Sequence, residues 1–278
     1  KFYENVFFPE LEKRGITTVI HGGDAFDRRK FVNFVSLKNA KEMFFNPARD
    51  KGIHLHMVIG NHDTTYKSTN DVNSPTLLVD EGYHNITVYP DPCEIEIDGT
   101  KILMLPWINS ENYVASIDAI ERATAIIAVG HLEIAGFRMY KSSLNNDGLS
   151  RGHFDKFDLT LSGHYHHKSS EGNIHYLGSP YGITWADYED ARGFHILDTE
   201  TMEMEFIQNP YEIFHKVWYD DEGKELGQIL DVDFAKFKDT YVKVIVTTKT
   251  NPFFFDRFLD ELDKSNPMNM QIVDDHFN

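Results

Sequence analysis

The sequence predicts an α/β protein with two sheets and, near its carboxyl end, a small α+β domain. A strand–loop–helix–strand order in the amino-terminal part indicates a βαβ unit whose sheet is largely buried. Later strands are short and closely spaced, which favours a second, more antiparallel sheet. Near Pro210 the pattern changes to a strand-rich stretch with a single helix, and this change predicts a domain boundary.

The amino-terminal elements form the βαβ unit. Apolar residues recur on one face of Lys1–Arg14, which predicts an amphipathic helix. Thr17–His21 is a β-branched run that predicts a buried strand, and Gly22-Gly23-Asp24 interrupts it. Lys30–Ala48 is predicted as the second helix, and Ile53–Ile59 as the next strand.

The remaining elements follow from turn signals and apolar runs. Asp98-Gly99 between two alternating runs is a strong hairpin signal. The other predicted elements are strands Glu94–Ile97 and Lys101–Leu105, helix Ser110–Arg122, strands Ala125–Val129, Leu159–Ser162, Asn173–Leu177, Gly193–Leu197 and Met202–Ile207, and, after a strand near Ile213, strand Tyr241–Thr248, helix Pro252–Lys264 and strand Asn269–Val273.

Composition and charge narrow the class of protein. Of 278 residues, 41% are apolar, no apolar run approaches the ~20 residues of a membrane span, and the single cysteine, Cys93, excludes an intramolecular disulfide. These features favour a soluble protein of a reducing compartment without a membrane partner. The net charge of −17 argues against simple coating of nucleic acid, which needs local cationic charge, but it does not exclude a metal-dependent nuclease.

Four short motifs occur in order, each directly after a predicted strand. They are Gly23-Asp24, Gly60-Asn61-His62-Asp63, Gly130-His131 and Gly163-His164-Tyr165-His166. Glycine permits a sharp turn after each strand. The next side chain then projects at the carboxyl end of the strand, where open α/β sheets build their sites. We therefore expect the four loops to converge on one place.

The side chains in these loops suit divalent metal ions. Carboxylate, amide oxygen and imidazole without thiolate favour Mn, Fe, Zn or Mg. A carboxylate shared between two ions ~3.5–4 Å apart makes a clamp for in-line attack on phosphorus, and a bridging water would become more acidic. The set predicts a two-metal phosphoesterase.

The ordered motifs resemble the calcineurin-like metallophosphoesterase superfamily. Within it, the sequence is most similar to the SbcD-type nucleases of DNA double-strand-break repair, a branch that includes phage recombination nucleases. GNHD, GHYH, Gly178-Ser179-Pro180 and Arg192-Gly193-Phe194 all look like that branch. The resemblance implies a two-sheet sandwich flanked by helices, with a metallophosphoesterase (nuclease) domain over residues 1–210 and a small α+β cap, similar to a DNA-binding domain, over residues 211–278.

The resemblance also implies roles for individual residues. The implied metal ligands are Asp24, which would bridge both ions, Asn61, His131 and His164, which would complete the shell of the second ion, and His166, which would bind the first. His62 would be the general acid that protonates the leaving oxygen. Asp63 would support its loop rather than bind metal.

One part of the family pattern is missing. The family opens with an Asp-x-His motif that supplies two ligands to the first ion, and no such motif precedes Gly23-Asp24. Because Lys1 lies in what resembles the following helix, we expect a fragment that lacks the first strand of its domain. The first ion then keeps only Asp24 and His166, and we expect this chain to be inactive alone.

Two alternatives to the nuclease stay open. The segment from Asp24 to Arg28 also fits the GDxxDR pattern of Ser/Thr protein phosphatases. On that resemblance Asp27 would orient His62 and Arg28 would hold phosphate, as in a phosphomonoesterase or protein phosphatase. Phosphatases, however, usually have GNHE and lack the Gly-Ser-Pro segment. The third hypothesis is a non-catalytic scaffold for an SMC-like ATPase.

The leading hypothesis is a Mn-dependent exo- and endonuclease that hydrolyses phosphodiester bonds at DNA ends in recombination and break repair. The resemblance implies two partners, DNA and an SbcC-type, SMC-like ATPase, which would supply DNA affinity that this acidic chain lacks. Relatives dimerise through helices of the amino-terminal half, so the apolar helix Lys30–Ala48 also suggests a homodimer. The expected location is the cytoplasm, that of the host cell if a phage encodes the protein.

Overall fold

The chain divides into two compact units. The computed structural model describes residues 1–79, 82–140 and 143–274. The first unit comprises Lys1–Pro180 and Ala191–Asn209, and the second comprises Tyr181–Asp190 and Pro210–Asn278. Sequence analysis placed the division after residue 210 and did not separate 181–190 from the first domain. Residues 275–278 of the predicted cap lie outside the described residues, and the nuclease and cap roles of the two domains stay predictions.

A three-stranded parallel sheet, called sheet 1, opens the first unit. Its strands are β1 (Thr18–His21), β2 (His54–Val58) and β3 (Ile86–Tyr89), in that order. β1 and β2 run parallel with Thr18 opposite His54, as the predicted βαβ unit requires. The short β-branched and apolar runs of these strands suit a sheet that is covered on both faces.

Helices cover one face of sheet 1. They are α1 (Phe8–Arg14), which continues a π-helical turn (Tyr3–Phe7), then α2 (Phe34–Ala40), a π-helical turn (Lys41–Phe45), α3 (Asn46–Asp50) and α4 (Ser74–Val79). The second helix begins at Phe34 rather than at the predicted Lys30. The cause is Asn33, whose side chain accepts a hydrogen bond from the Val35 N–H and caps the first turn. Phe45 and Leu55 pack in the core between helices and sheet.

A six-stranded mixed sheet, called sheet 2, lies against the other face of sheet 1. Its strands are β4 (Cys93–Ile97), β5 (Thr100–Leu105), β6 (Ile127–Gly130), β9 (Leu159–Ser162), β10 (Ser169–Glu171) and β11 (Ile174–Tyr176), in the order β10-β11-β9-β6-β5-β4. The predicted Asp98-Gly99 hairpin joins β4 to β5, with φ values of 51° and 78°. Val58 packs against Met104 and Val129 between the sheets. The α/β fold class is confirmed.

One predicted strand belongs to a different sheet from the one expected. The sequence placed Asn173–Leu177 in a more antiparallel second sheet, but β11 pairs in parallel with β9. Three residues are too few for side-chain alternation to reveal a pairing partner, and β9 is buried throughout, as interior parallel strands are. On its other side β11 pairs antiparallel with β10. The other antiparallel pairs among the described residues are β4 with β5, β7 (Phe137–Tyr140) with β8 (Ser143–Asn145), and β12 (Gly193–Leu197) with β13 (Met204–Gln208).

Two of the three remaining α-helices were predicted, and the third, a short helix of the second unit, lies where the sequence predicted a loop. Helix α5 (Tyr113–Arg122) covers the outer face of sheet 2 through Ile120. In the second unit, a parallel sheet of β14 (Phe214–Asp220), β15 (Tyr241–Thr248) and β16 (Asn269–Asp274) carries α6 (Leu226–Ile229) and α7 (Pro252–Lys264). Phe258 and Val244 lie in its core. Among the described residues, no helix combines the length and apolar character needed to cross a bilayer.

Candidate metal centre

Asp24 lies in the turn that follows β1, close to the loop that follows β2. Its φ is 55° and that of Gly23 is 90°, so the turn uses left-handed backbone that Gly and Asp tolerate best. A Cβ on Gly60 would lie 2.2 Å from Asp24 Oδ1. Only glycine at position 60 therefore lets the Asp24 carboxylate approach the second loop this closely.

Asp63 joins these two loops. Its buried carboxylate accepts hydrogen bonds from four backbone N–H groups, those of Gly60 (2.8 Å), Asp24 (2.8 Å), Ala25 (2.9 Å) and Phe26 (3.4 Å). Burial and the charge of Asp24 raise the pKa of Asp63 to about 6, while the bonds from Gly60 and Phe26 oppose that rise. These hydrogen bonds fit the prediction that Asp63 supports its loop, and that it does not bind metal stays a prediction.

His131 is fully buried at the end of β6 and has a defined tautomer. Its Nδ1 lies 2.8 Å from the carbonyl oxygen of Gly22. A carbonyl oxygen only accepts, so Nδ1–H donates to it, and in the neutral ring Nε2 carries the lone pair. Such a second hydrogen bond is how proteins orient a metal-binding imidazole.

Three potential metal-ligand atoms lie close to His131 Nε2, which is itself the fourth. Asn61 Oδ1 lies 2.9 Å from it, His164 Nδ1 lies 3.2 Å from it, and Asp24 Oδ2 lies 3.3 Å from it. His164 Nδ1 is also 3.1 Å from Asn61 Oδ1. The carboxylate oxygen, the amide oxygen and the imidazole lone pair face one another. A cation between them would stabilise this arrangement, because all three carry negative charge or partial negative charge. Asp24, His131 and His164 place their ligand atoms within 4.8 Å of one another.

The electrostatics of the centre also suit a cation. Burial would lower the pKa of His131, but the Asp24 carboxylate outweighs burial and raises it. Burial and the His131 charge lower the pKa of His164 to about 3. Burial would raise the pKa of Asp24, but His131 and the His62 N–H lower it to about 2. Asp24 is therefore ionised and His164 neutral, which are the forms of these side chains that bind metal. The raised pKa of His131 shows that the Asp24 carboxylate attracts positive charge to the same place.

His62 points away from this set and is exposed. Its backbone N–H donates to Asp24 Oδ1 at 2.7 Å, and its Nδ1 lies 2.6 Å from the main-chain carbonyl oxygen of Asp27. Nδ1–H therefore donates to that carbonyl, which fixes the ring and leaves Nε2 to face a substrate. Asp27 thus contacts the His62 ring through its main-chain carbonyl oxygen, and its role in orienting His62 for catalysis stays a prediction.

The remaining predicted residues lie outside the four-atom set. The side chains of Asp27 and Arg28 are 76% and 67% exposed and 3.7 Å apart, and the Arg28 guanidinium lies over the Phe31 ring. The carbonyl oxygen of His166 accepts a hydrogen bond from the Ser179 N–H, and the side chain of Arg192 also donates to it. His166 is near enough to lower the pKa of His164. It is not among the three residues whose ligand atoms lie within 4.8 Å of one another, and its role at a first ion stays a prediction.

Comparison with known proteins agrees with this geometry. The model of the calcineurin-like phosphoesterase family matches residues 4–168, more than half of the chain. The chain belongs to this family. The matched range contains all of the motifs that form the centre, and members of the family use divalent metal ions. The sequence-based recognition of the superfamily is therefore confirmed.

Two known proteins are similar to this calcineurin-like phosphoesterase. The exonuclease subunit 1 of Enterobacteria phage T4 is 36% identical over 236 residues, which are 85% of this chain and 67% of the phage protein. A solved structure of an archaeal phosphodiesterase covers 72% of this chain and 88% of its own, with 15% identity and a TM-score of 0.34.

Sequence analysis missed two groups of residues that position the phosphoesterase centre. Trp107, two residues beyond the end of β5, packs its ring 5.2 Å from that of His164. Asn70 and Asn112 both donate to the Trp107 carbonyl oxygen at 3.0 Å and hold its loop. The sequence did hold a signal for Trp107, because this residue follows a parallel strand of sheet 2 just as His131 does. His21, the last residue of β1, is the other group, because its Nδ1 accepts a hydrogen bond from the Gly23 N–H.

Proposed function

We propose that this phosphoesterase is a divalent-metal-dependent DNA nuclease subunit that hydrolyses phosphodiester bonds at DNA ends, with Mn²⁺ as its ion. One observation carries the proposal: side-chain atoms of Asp24, Asn61 and His164 all lie within 3.3 Å of His131 Nε2. The name of the T4 relative, an exonuclease subunit, supports a nucleic acid as the substrate over other phosphate esters, and we propose DNA.

The protein residues have separate tasks in this proposal. The carboxylate, amide oxygen and two imidazoles of the centre would hold one ion, and His166 with Asp24 would contribute to a second. When bound, the ions supply positive charge that stabilises the phosphoryl oxygens and makes water a better nucleophile near neutral pH. Asp63 keeps the Asp24 and Asn61 loops together, so the ligands are positioned before an ion arrives.

His62 is the proposed general acid. The carbonyl of Asp27 accepts its Nδ1–H, so a proton on Nε2 can be donated to the oxygen that leaves phosphorus. The hydrogen bond from the His62 N–H to Asp24 Oδ1 couples the position of this acid to the Asp24 carboxylate. One short loop would therefore fix the acid relative to a residue that would hold the ions.

The protein phosphatase alternative receives less support. It requires the Asp27 carboxylate at His62 and the Arg28 guanidinium at the phosphate. The carboxylate is exposed, and the guanidinium stacks on Phe31, 5.4 Å from the ring centre. Neither group is held by a buried contact, as a residue that positions a reacting phosphate should be.

The negative charge of the chain is the first argument for a partner protein. A net charge of −17 leaves little general attraction for DNA, so we propose that an SbcC-type, SMC-like ATPase supplies much of the affinity. The T4 relative is named as a subunit, which fits a protein that works in an assembly.

We also keep a homodimer in the proposal, because Phe34 and Val35 of α2 are 87% and 66% exposed. We further propose a role in recombination and double-strand-break repair, in the cytoplasm.

The test uses the full-length protein with linear double-stranded DNA, single-stranded DNA and p-nitrophenyl phosphate, each with Mn²⁺ and with a chelator. We expect Mn²⁺-dependent release of nucleotides from DNA and little hydrolysis of the monoester. Hydrolysis of p-nitrophenyl phosphate without cleavage of either DNA would favour the phosphatase. Absence of metal binding and of all hydrolysis would favour the scaffold.

A further inference from the structure

A cleft of about 510 Å³ opens in the first unit beside the metal centre. Trp107 and Tyr113 contribute aromatic rings to it, Leu149 contributes an apolar side chain, and Glu133 and His153 contribute polar groups. The volume lies in the range of clefts that bind small molecules. A lining that combines two aromatic residues with a carboxylate and an imidazole suits a flat, partly polar ligand.

Trp107 and Glu133 connect the cleft to the metal centre. The Trp107 ring lies 5.2 Å from the ring of His164 and 6.2 Å from that of His131. Glu133 follows His131 by two residues on the loop after β6. A ligand in the cleft would therefore be attached to, or lie next to, a phosphate held at the centre.

The charge of the cleft excludes a phosphate inside it. Among the described residues that line it there is no Lys or Arg, and Glu133 places a carboxylate there. The neighbouring Arg151 is turned to other acceptors, since its Nε and Nη2 donate to the carbonyl oxygens of Ala135 and Gly136. An anionic group would be repelled, whereas an uncharged aromatic ring would be accepted.

The walls of the cleft are held in place before any ligand binds. Asn70 and Asn112 donate to the carbonyl oxygen of Trp107, and Tyr113 begins α5 directly after Asn112. Glu133 Oε1 accepts a hydrogen bond from Asn145 at 2.8 Å. A carboxylate has four acceptor positions, so Glu133 can still accept from a ligand. Such preorganisation lowers the cost of binding.

We propose that this cleft binds the unpaired nucleobase of the nucleotide next to the scissile phosphodiester. The base stacks on the aromatic wall formed by Trp107 and Tyr113, and Glu133 accepts a hydrogen bond from an exocyclic amino group. The proposal rests on the proposed nuclease function and adds the substrate feature that the site recognises. A base within a duplex cannot enter such a cleft, so the DNA end must be frayed, single-stranded or opened.

The first experiment measures binding of short single-stranded oligonucleotides to the metal-free protein by fluorescence anisotropy. Tyr113→Ala should weaken binding about tenfold, the size of one lost base–aromatic stack. Tyr113→Phe keeps the ring and should bind as the wild type does. Val114→Ala is the matched control, because Val114 is the next residue of α5, is 77% exposed and does not line the cleft.

The second experiment identifies the base as the group that is bound. An oligonucleotide with an abasic site at the terminal nucleotides should bind wild type and Tyr113→Ala equally. Glu133→Gln should reduce a preference for oligo(dC) over oligo(dT), because thymine has no exocyclic amino group. Equal loss of affinity by Tyr113→Ala for abasic and normal DNA, or no loss for either, would overturn the base site.

Hydrolysis of bis(p-nitrophenyl) phosphate separates failure of this inference from failure of the proposed function. If the wild type hydrolyses this diester and DNA with Mn²⁺ but Tyr113→Ala leaves oligonucleotide binding unchanged, the base site is wrong and the nuclease stands. If the wild type binds oligonucleotides through Tyr113 but hydrolyses neither diester, the catalytic proposal fails while the binding site stands.

Discussion

The carboxylate of Asp63 lies 2.8 Å from the backbone nitrogen of Asp24 and accepts its N–H. The same carboxylate accepts the Gly60 N–H, so one buried side chain links the loops that follow β1 and β2. Asp24 has a φ of 55°, which costs free energy unless neighbouring contacts hold it. Asp63 supplies those contacts, and the position of a predicted metal ligand thus depends on a residue outside the predicted ligand set.

The first prediction concerns Asp63→Ala. The change leaves four backbone N–H groups around the buried position without their acceptor. We expect the free energy of unfolding to fall by about 2–4 kcal/mol, since buried donors that lose a charged partner are costly. Urea denaturation followed by tryptophan fluorescence measures it. Asp71→Ala is the control, because Asp71 is exposed. Equal stability of the two variants would contradict the role of Asp63.

The second prediction concerns His62→Ala. Because His62 is exposed and contributes no atom to the convergent set, metal binding should stay unchanged. DNA hydrolysis should fall by about 10²–10⁴, the contribution of a general acid. Hydrolysis of bis(p-nitrophenyl) phosphate should fall much less, since p-nitrophenolate leaves without a proton. Equal losses for both substrates would show that His62 is not the acid.

The third prediction concerns pH and the second unit. Burial would raise the pKa of Asp221, but hydrogen bonds from Thr250 and Asn251 outweigh it and hold the pKa below its ordinary value. The carboxylate accepts both of their backbone N–H groups, at 2.6 and 2.8 Å, just before α7. Because the folded pKa is the lower one, this contribution is complete above the unfolded value of 3.8 and is lost as the pH falls through the folded pKa.

Asp221→Asn should therefore be less stable than the wild type near neutral pH and should differ less from it as the pH falls below 3.8. Urea midpoints across this pH range measure the difference. Asp231→Asn, at an exposed position of the same unit, provides the comparison. A stability gap between Asp221→Asn and the wild type that does not narrow in acid would contradict the assignment.

The fourth prediction concerns the homodimer. Phe34 is 87% exposed, and the neighbouring Phe31 and Val35 are 60% and 66% exposed, so α2 and the segment before it present an apolar patch. If this patch pairs with a second copy, Phe34→Glu should convert a dimer into a monomer in light scattering after size exclusion. Val114→Glu, on an exposed position of α5, should leave the dimer intact. A monomeric wild type would remove the homodimer from the proposal.

The sequence predicted most elements of the fold because their signals are local. Helix Pro252–Lys264 was predicted with the bounds that the structure has, since Asn251 caps it and Pro252 suits its first turn. The Asp98-Gly99 turn likewise follows from backbone preferences at two positions. The partner of β11 could not be predicted, because pairing depends on residues distant in the chain.

The ligands of the candidate centre could be predicted from the sequence, but the contacts that position the surrounding residues could not. Glycine before Asp24, Asn61, His131 and His164 indicates strand-end turns, and those four side chains do converge. The contact of His62 with a main-chain carbonyl carries no sequence signal, because every residue has that group. The cleft at Trp107 likewise arises from three loops that are adjacent only in the folded chain.

The binding of Mn²⁺ to wild type and to His164→Ala tests the central claim most directly. Equilibrium dialysis of the full-length protein, followed by elemental analysis, gives the number of ions per chain. We expect the wild type to bind Mn²⁺ and His164→Ala to bind at least one ion fewer. His175→Ala, whose ring contacts Ser170 away from the centre, should bind as the wild type does. Equal ion counts for wild type and His164→Ala, or a wild type without ions, would contradict the metal centre.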